Sequence, residues 1–211
     1  PFGAQDFGRV YALVEQFDGT LIAAGSFTRL GDAQVSNIAS WNSSAWEPIG
    51  TGTNATVRAS AELPDGSVVV VGDFTQIGNV HANRVALWNG SQWSPLGDGL
   101  NAAARCVVAL SSGEVLVGGQ FTQAGGVAAN FVAKWSGGEW HALGTGPSAE
   151  VLALAVRPQG DVIAACFLDI SGMNRHLDRW NGESWSAIPG GSPNSQVSCL
   201  LVLPGGDVVA G

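Results

Sequence analysis

The chain has 211 residues, of which 45% are apolar and 12% are charged, so it holds enough apolar side chains for a folded core, and a disordered chain is excluded. Seventeen acidic residues against nine Lys and Arg give a net charge of −8, which disfavours nucleic acid and anionic membranes as partners. No apolar run reaches the roughly 20 residues of a membrane span, so direct membrane insertion is not expected.

A repeat with a period of about 47 residues runs through the chain. Gly19, Gly66, Gly113 and Gly160 stand 47 residues apart, and Gly206 follows after 46. Two other markers share this period, and we interpret them as the structural signature of the repeat: Trp41, Trp46, Trp88, Trp93, Trp135, Trp140, Trp180 and Trp185 form pairs, and Phe27, Phe74, Phe121 and Phe167 occur singly. The repeats predict a single domain over 1–211, divided into 1–47, 48–94, 95–141, 142–186 and a partial 187–211.

Each repeat predicts four short strands, a to d in chain order. In the third repeat an apolar strand a covers 106–110, a tight turn follows at Ser112-Gly113, and strand b covers 114–117. A Gly-x-Phe-Thr motif and a loop of about eight residues lead to strand c at 131–135, and a second tight turn leads to strand d. No segment has an apolar stripe of helical period, so helix is expected to be nearly absent.

Four-stranded units at this spacing are typical of an all-β β-propeller, in which each unit is one blade. The chain begins at the tail of a strand d and stops after a strand b, which gives four complete repeats and one a–b hairpin. Two interpretations follow. The chain has five blades, the last one incomplete, or it is part of a longer propeller of six or seven blades.

The aliphatic run that ends in Gly118-Gly119, followed by a tryptophan that opens the outer strands, resembles kelch and galactose-oxidase propellers. The fuller unit, Gly-Gly-x-Phe-Thr … Trp-Asn-Gly-x-x-Trp-x-x-Leu-Gly, is similar to repeats of bacterial surface proteins and fungal cell-polarity markers. The resemblance covers nearly the whole chain and implies an interaction or scaffold role. The fourth repeat departs from it, because residues 166–169 replace Gly-x-Phe-Thr and are one residue short.

The tryptophans and phenylalanines are expected in the core between blades, because each aromatic side chain buries a large apolar area. Thr28, Thr75 and Thr122 are expected to bond to the local loop backbone. The b–c and d–a loops diverge between repeats and lie opposite the tight turns, and variable loops on a rigid scaffold commonly carry binding. The binding residues predicted on this face are Arg29, Gln76, His81, Gln123, Asp169, Arg175 and His176.

No familiar chemistry is visible in the motifs. The three histidines lack an i, i+4 ligand spacing, the three cysteines lack a Cys-x-x-Cys pair, and they do not form a disulfide framework, although one pair could still form. Tyr11 is the only tyrosine, which disfavours a galactose-oxidase copper site, and Gly-x-Ser-x-Gly is absent. We therefore expect no catalytic residues, no metal and no cofactor.

Together these observations predict a non-enzymatic interaction or scaffold module. It would bind a protein partner, or a larger assembly, through the variable loops or an open blade edge. The alternative is a carbohydrate-binding, lectin-like propeller. The resemblance and the scarcity of lysine favour a location outside a bacterial cell, on its surface or in its periplasm.

Overall fold

The structure is a computed structural model, and it describes residues 8–168, 174–190, 193 and 196–211. Within these residues the regular secondary structure consists of 24 β-strands. In the same residues, no helix is long and apolar enough to cross a membrane. The chain divides into two compact units, Pro1–Gly99 and Leu100–Gly211.

The first unit holds two four-stranded sheets, here called blades 1 and 2, and each blade carries a small two-stranded sheet between its second and third long strands. Blade 1 comprises β1 Arg9–Glu15, β2 Leu21–Ser26, β3 Arg29–Leu30, β4 Ala33–Gln34, β5 Ile38–Trp41 and β6 Trp46–Pro48. Blade 2 comprises β7 Val57–Glu62, β8 Val68–Gly72, β9 Gln76–Ile77, β10 Val80–His81, β11 Val85–Trp88 and β12 Trp93–Pro95.

The second unit holds blades 3 and 4 and a terminal hairpin. Blade 3 comprises β13 Ala104–Ala109, β14 Val115–Gly119, β15 Gln123–Ala124, β16 Val127–Ala128, β17 Val132–Ser136 and β18 Glu139–Ala142. Blade 4 comprises β19 Glu150–Val156, β20 Val162–Leu168, β21 Asn174–Trp180 and β22 Trp185–Ala187. The terminal hairpin pairs β23 Leu200–Val202 with β24 Val208–Ala210.

In every blade the four long strands lie side by side in chain order and pair antiparallel, for example β1-β2-β5-β6 in blade 1. This confirms the predicted all-β propeller fold, with four strands to a blade. Four complete sheets and one two-stranded hairpin are compatible with the predicted five blades, the last incomplete.

Strand b forms the centre of each core. In blade 2 the run Val68–Val71 is fully buried, because both faces of this strand are covered and every side chain is apolar. The turn before it needs a residue with positive φ, and Gly66 adopts φ 83° there. The Asp65 carboxylate accepts hydrogen bonds from the Ser67 amide and hydroxyl, which fixes the turn.

The tryptophan pairs contact each other across strands c and d. Trp88 lies opposite Trp93 in the register of β11 and β12, and the two ring centroids are 5.0 Å apart. The other three pairs have centroid distances of 5.2 to 5.7 Å. Every tryptophan is buried or half-buried, with Trp93 and Trp140 only 7% and 5% exposed. The rings therefore pack within the blades and do not form an exposed platform.

The phenylalanine marker has one structural exception. The side chains of Phe27, Phe74 and Phe121 are buried, with at most 4% of their surface exposed. Phe167 is only half-buried, and it lies inside the long strand β20 opposite Arg175. Phe167 directly follows Cys166, which pairs with Val151 as Gly72 pairs with Val57, whereas Phe74 lies two residues after Gly72. Phe167 therefore lies one position earlier in its blade than Phe74 does.

The segment between strands b and c differs from the predicted loop in blades 1 to 3. It forms a hairpin of two-residue strands, such as β9 with β10, where Gln76 pairs with His81. Such short strands give no alternating pattern in the sequence, which is why a plain loop was expected. We call these three small sheets the b–c hairpins.

Strand b ends at a glycine that lies against the backbone entering strand a. A Cβ atom on Gly72 would lie 2.2 Å from the carbonyl oxygen of Thr56, and one on Gly119 would lie 2.3 Å from that of Ala103. Distances this short require the backbone to move. The glycine therefore permits an approach that no other residue allows without a shift of the backbone.

Substituting Gly72→Ala is expected to lower the free energy of unfolding by about 1–3 kcal/mol, because the added methyl group clashes with backbone rather than with a movable side chain. The measurement is urea unfolding followed by tryptophan fluorescence. Gly205→Ala is the matched control, since nothing lies within 4 Å of a Cβ placed there. Equal effects of the two substitutions would contradict the close-approach argument.

Candidate functional site

Four of the predicted binding residues lie on the b–c hairpins. Arg29 is in β3, Gln76 in β9, His81 in β10 and Gln123 in β15, and all four are exposed. Gln76 and His81 are cross-strand partners in one hairpin, so their side chains lie on the same face of it. The b–c hairpin lies at the end of each sheet opposite the a–b and c–d turns.

The remaining predicted residues belong to blade 4. Asp169 lies outside the described residues, and so does the side chain of Arg175. The Arg175 backbone pairs with Phe167 in strands β21 and β20. His176 is half-buried, and it lies opposite Cys166 in the same strand pair.

An asparagine in the d–a connection holds each b–c hairpin of blades 2 and 3. The side-chain oxygen of Asn101 accepts hydrogen bonds from the amides of Thr122 and Gln123, at 2.9 and 3.0 Å. Its amide nitrogen donates to the Thr122 hydroxyl at 3.0 Å, and its backbone amide donates to the Gln123 carbonyl at 3.2 Å. Asn54 makes the same four bonds in blade 2. We call this set of bonds the asparagine clamp.

The clamp changes one expectation and explains another. The hydroxyls of Thr75 and Thr122 bond to these asparagine side chains rather than to the local loop backbone. The clamp also fixes the backbone of Gln76 and Gln123 while leaving their side chains exposed. Exposed side chains on a fixed backbone lose little conformational entropy of the main chain when they bind a ligand.

Four of the residues at which blade 4 departs from the repeat bear on the site. Cys166 occupies the place of Gly72 and Gly119. Each of the three pairs with the residue just before the bulge of strand a, which is Val151, Val57 and Ala104, respectively. Asp178 occupies the place of alanine in strand c, since it pairs with Ala164 as Ala86 pairs with Val70 in blade 2. The other two departures are Ser148, 47 residues after the clamp residue Asn101, and His176, opposite Cys166.

These four side chains meet at one place. The Cys166 thiol lies 3.7 Å from Asp178 Oδ2, and His176 Nε2 lies 3.5 Å from Asp178 Oδ1. The Ser148 hydroxyl is 2.5 Å from His176 Nε2 and donates to Asp178 Oδ2 at 3.0 Å, and the Ser148 amide donates to the same oxygen at 3.1 Å. We call Ser148, Cys166, His176 and Asp178 the blade 4 cluster.

The register of strands β20 and β21 explains why this cluster forms. His176 and Asp178 are two residues apart on one strand, so their side chains lie on the same face of the sheet. Cys166 pairs directly with His176 and is diagonal to Asp178, which brings all three donor atoms within 4.8 Å of one another. The d–a connection then places Ser148 over this face.

Burial governs the chemistry of the cluster. Cys166 and Asp178 are each 4% exposed, and the side chain of His176 is 18% exposed. Burial raises the pKa of the Cys166 thiol well above its usual range, and the nearby Asp178 charge raises it further. The thiol is therefore protonated at neutral pH in the absence of a cation.

The geometry differs from that of a Ser-His-Asp catalytic triad. In a triad the imidazole lies between the hydroxyl and the carboxylate, with one ring nitrogen for each. Here the Ser148 hydroxyl and the Asp178 carboxylate both approach Nε2 of His176. The Ser148 hydroxyl also donates directly to the carboxylate, so the imidazole is not its base.

An open cleft adjoins the cluster. It has a volume of about 420 Å³, and its lining includes Thr145, Pro147, Ser148, Asp178 and Trp185. Because Ser148 is exposed while Asp178 is buried, the carboxylate forms part of the inner wall of this cleft. A small polar ligand in the cleft would reach the blade 4 cluster directly.

The sequence predicted only His176 of this cluster. The i, i+4 rule applied to the histidines looks along a single helix and misses donors that meet across a hairpin. The one sequence signal that could have pointed to this cluster is the departure of the fourth repeat from Gly-x-Phe-Thr at residues 166–169. To place Asp178 in the cluster, one must know how β20 pairs with β21, and the shortened b–c connection of blade 4 prevents this pairing from being inferred by alignment with the other repeats.

A second cavity, of about 320 Å³, lies beside Glu114 and Lys134. The Lys134 ammonium donates to Glu114 Oε1 at 2.8 Å, and the Ser112 hydroxyl donates to Oε2 at 2.9 Å. These bonds, that of Lys134 first, lower the pKa of the Glu114 carboxyl from 4.5 to about 2.

Replacing Lys134 by Met should therefore weaken the acid dependence of stability. A lowered folded-state pKa contributes stability that is complete above pH 4.5 and is lost as the pH falls through about 2. Urea unfolding at several pH values in this window should show a larger loss for the wild type than for Lys134→Met. Parallel losses would contradict the assignment, and Glu139→Gln, at an exposed glutamate of the same blade, is the control.

Comparisons with known proteins agree with the propeller fold. A family model described as a domain of unknown function (DUF5122) beta-propeller matches residues 63–87, from the a–b turn into strand c of blade 2. A comparison with curated proteins found no match. The β-propeller repeat is thus supported in sequence as well as in structure.

Solved structures similar to the chain share the fold at low identity. The extracellular domain of BT4673 from B. thetaiotaomicron has a TM-score of 0.60 and 13% identity, over 100% of this chain and 29% of that one. A streptogramin B lyase has a TM-score of 0.60 and 11% identity, over 99% of this chain and 63% of that one. YCF48 bound to D1 peptide has a TM-score of 0.55 and 17% identity, over 96% of this chain and 60% of that one. The chain thus spans under a third of the BT4673 domain and under two thirds of the other two.

The expectation that the protein is not an enzyme is wrong, because it was drawn from the fold and from missing motifs, and enzymes share this fold. Streptogramin B lyase is an enzyme with the same fold, and it aligns over 99% of this chain. A propeller fold is therefore compatible with catalysis, and the fold gives no ground for excluding it here. Fold alone does not assign or exclude an activity.

Proposed function

We propose that the chain is a binding module that recognises a protein partner through its b–c hairpins and d–a connections. The observation that carries this proposal is the asparagine clamp, which fixes the hairpin backbone of blades 2 and 3 beneath exposed polar side chains. Partner selection would come from the predicted binding residues, which are Arg29, Gln76, His81 and Gln123 on the hairpins and Asp169, Arg175 and His176 in blade 4.

Two further observations support a polypeptide ligand. The hairpins present exposed polar side chains, and that of Arg29 donates to the Gly31 carbonyl and the Asp32 carboxylate. YCF48, a neighbour in fold, is described with a bound D1 peptide. The kelch-like repeat that the sequence resembles is in keeping with an interaction or scaffold role, and an open blade edge is a second possible contact surface.

A saccharide ligand, the alternative, has less support. Sugar platforms use exposed aromatic faces, whereas every tryptophan here is buried or half-buried against its partner. A saccharide would have to bind through the polar hairpin side chains alone. Titration with saccharides, followed by tryptophan fluorescence, tests this alternative directly.

Peptides can be selected from a displayed library for binding to the wild-type chain. The proposal predicts that their binding requires the side chains of the hairpin residues. The variant with Arg29, Gln76, His81 and Gln123 all replaced by Ala should bind them at least about tenfold more weakly, because it loses their side-chain contacts. Binding is measured by calorimetry or fluorescence anisotropy on the full chain.

The control replaces Gln92 and Glu183 by Ala. Both are exposed residues of c–d turns, at the opposite ends of their sheets. Selected peptides should bind this control as they bind the wild type. Equal binding to the four-residue variant, or loss of binding to the control, would contradict the proposed surface.

We also propose a location outside the bacterial cell or in its envelope. The resemblance to bacterial surface repeats supports it, as does the extracellular domain among the neighbours in fold. Cys199 provides a test because it is exposed, whereas Cys166 is buried.

A membrane-impermeant maleimide should label Cys199 in intact cells of the source organism, or after the outer membrane alone is opened. Cys199→Ser should abolish that labelling. Labelling that appears only after the cytoplasm is released would contradict the proposed location.

A further inference from the structure

The blade 4 cluster brings a thiol, an imidazole and a carboxylate to one point, and we propose that Cys166, His176 and Asp178 bind a zinc-type divalent cation. All three donor atoms lie within 4.8 Å of one another. One sulfur, one nitrogen and one oxygen ligand suit Zn²⁺, whereas Mg²⁺ and Ca²⁺ prefer oxygen alone. This inference concerns blade 4, which shares His176 and a d–a connection with the proposed binding face, and it does not depend on the proposed protein partner.

The distances fit tetrahedral coordination. Bonds of about 2.0–2.3 Å at tetrahedral angles place two ligand atoms about 3.3–3.6 Å apart. The sulfur-to-oxygen distance from Cys166 to Asp178 is 3.7 Å, and the nitrogen-to-oxygen distance from His176 to Asp178 is 3.5 Å. These two distances end on different oxygens of Asp178, and the thiol and the imidazole lie within 4.8 Å of each other. Side-chain movements of up to about an ångström would bring the three donors to coordination distance.

The buried carboxylate is the independent observation that points to a cation. Asp178 is 4% exposed, and in the other three blades the equivalent residues are Ala39, Ala86 and Ala133. A buried carboxylate is costly unless a positive charge or several hydrogen bonds compensate it. Two hydrogen bonds from Ser148 compensate Asp178 in part, and a cation held by Cys166 and His176 would supply the opposite charge.

Ser148 has a supporting role in this proposal. Its hydroxyl is too close to His176 Nε2, at 2.5 Å, to be a fourth tetrahedral ligand in its present position. Ser148 is exposed, so its hydroxyl can rotate towards solvent when a cation binds. The Ser148 amide would still donate to Asp178 Oδ2 and orient the carboxylate, as outer-shell bonds do in metal sites.

Cation binding is balanced by loss of one proton. The Cys166 thiol transfers its proton to solvent, and the resulting thiolate forms the bond to the metal. The fourth coordination position would face the cleft lined by Thr145, Pro147 and Trp185, where water or a polar ligand can enter. Three protein ligands with one open position characterise zinc sites that act on a bound molecule rather than sites that only stabilise a fold.

The test uses the full chain, freed of metal with a chelator and then titrated with Zn²⁺ and with Co²⁺. Zn²⁺ should bind with one equivalent per chain, as measured by calorimetry and elemental analysis. Co²⁺ should produce a thiolate charge-transfer absorption. Asp178→Ala restores the residue of the other blades and should weaken binding by about 100-fold or more, as should His176→Gln.

Matched variants separate the site from incidental binding. Cys166→Ser should abolish the charge-transfer absorption, whereas Cys199→Ser should keep it, and Ser148→Ala should bind the cation as tightly as the wild type or more tightly. Circular dichroism and tryptophan fluorescence establish whether each variant is folded. If Cys166→Ser does not fold, His176→Gln, a substitution at the partly exposed edge of the cluster, tests the site in its place. Absence of binding to the wild type, or equal binding to Asp178→Ala and His176→Gln, would overturn the proposal and leave an ordinary His176–Asp178 ion pair.

Discussion

The approach of the end of strand b to the backbone that enters strand a is the constraint on which the b–c hairpins of blades 1 to 3 depend. In blades 1 to 3 a glycine is present at this point, and a Cβ on Gly25, Gly72 or Gly119 would lie 1.9 to 2.3 Å from a carbonyl oxygen. The close approach lets the chain leave the sheet and form a b–c hairpin, which the d–a connection of blades 2 and 3 then clamps. Where Cys166 replaces the glycine, the strand continues to Leu168 and the Gly-x-Phe-Thr turn is lost.

Two kinds of surface result from this difference. In blades 2 and 3 an asparagine satisfies the hairpin backbone, so the exposed side chains of Gln76 and Gln123 are available to a partner. In blade 4 the clamp position holds Ser148, which bonds to Asp178 and His176 instead. The same place in the repeat thus presents exposed polar side chains in one case, where we propose that a partner binds, and a thiol, an imidazole and a carboxylate in the other.

The sequence predicted the strands and their order because each turn glycine and each tryptophan pair recurs at a fixed spacing. It predicted that the b–c segments diverge, but not that they form hairpins, since two-residue strands are too short to show a pattern. It singled out His176 by its loop position. It could not place Asp178 beside His176 and Cys166, because that contact depends on the pairing of β20 with β21 after a shortened connection.

The asparagine clamp is also local, since all its bonds join residues at most 22 positions apart. A tandem duplication therefore copies a complete clamp with each blade, and a substitution in one copy leaves the hydrogen bonds of the others intact. The repeated architecture therefore tolerates a change at the clamp position of a single blade. One blade can change while the others keep their clamps, and blade 4, with Ser148 at the clamp position, has such a change.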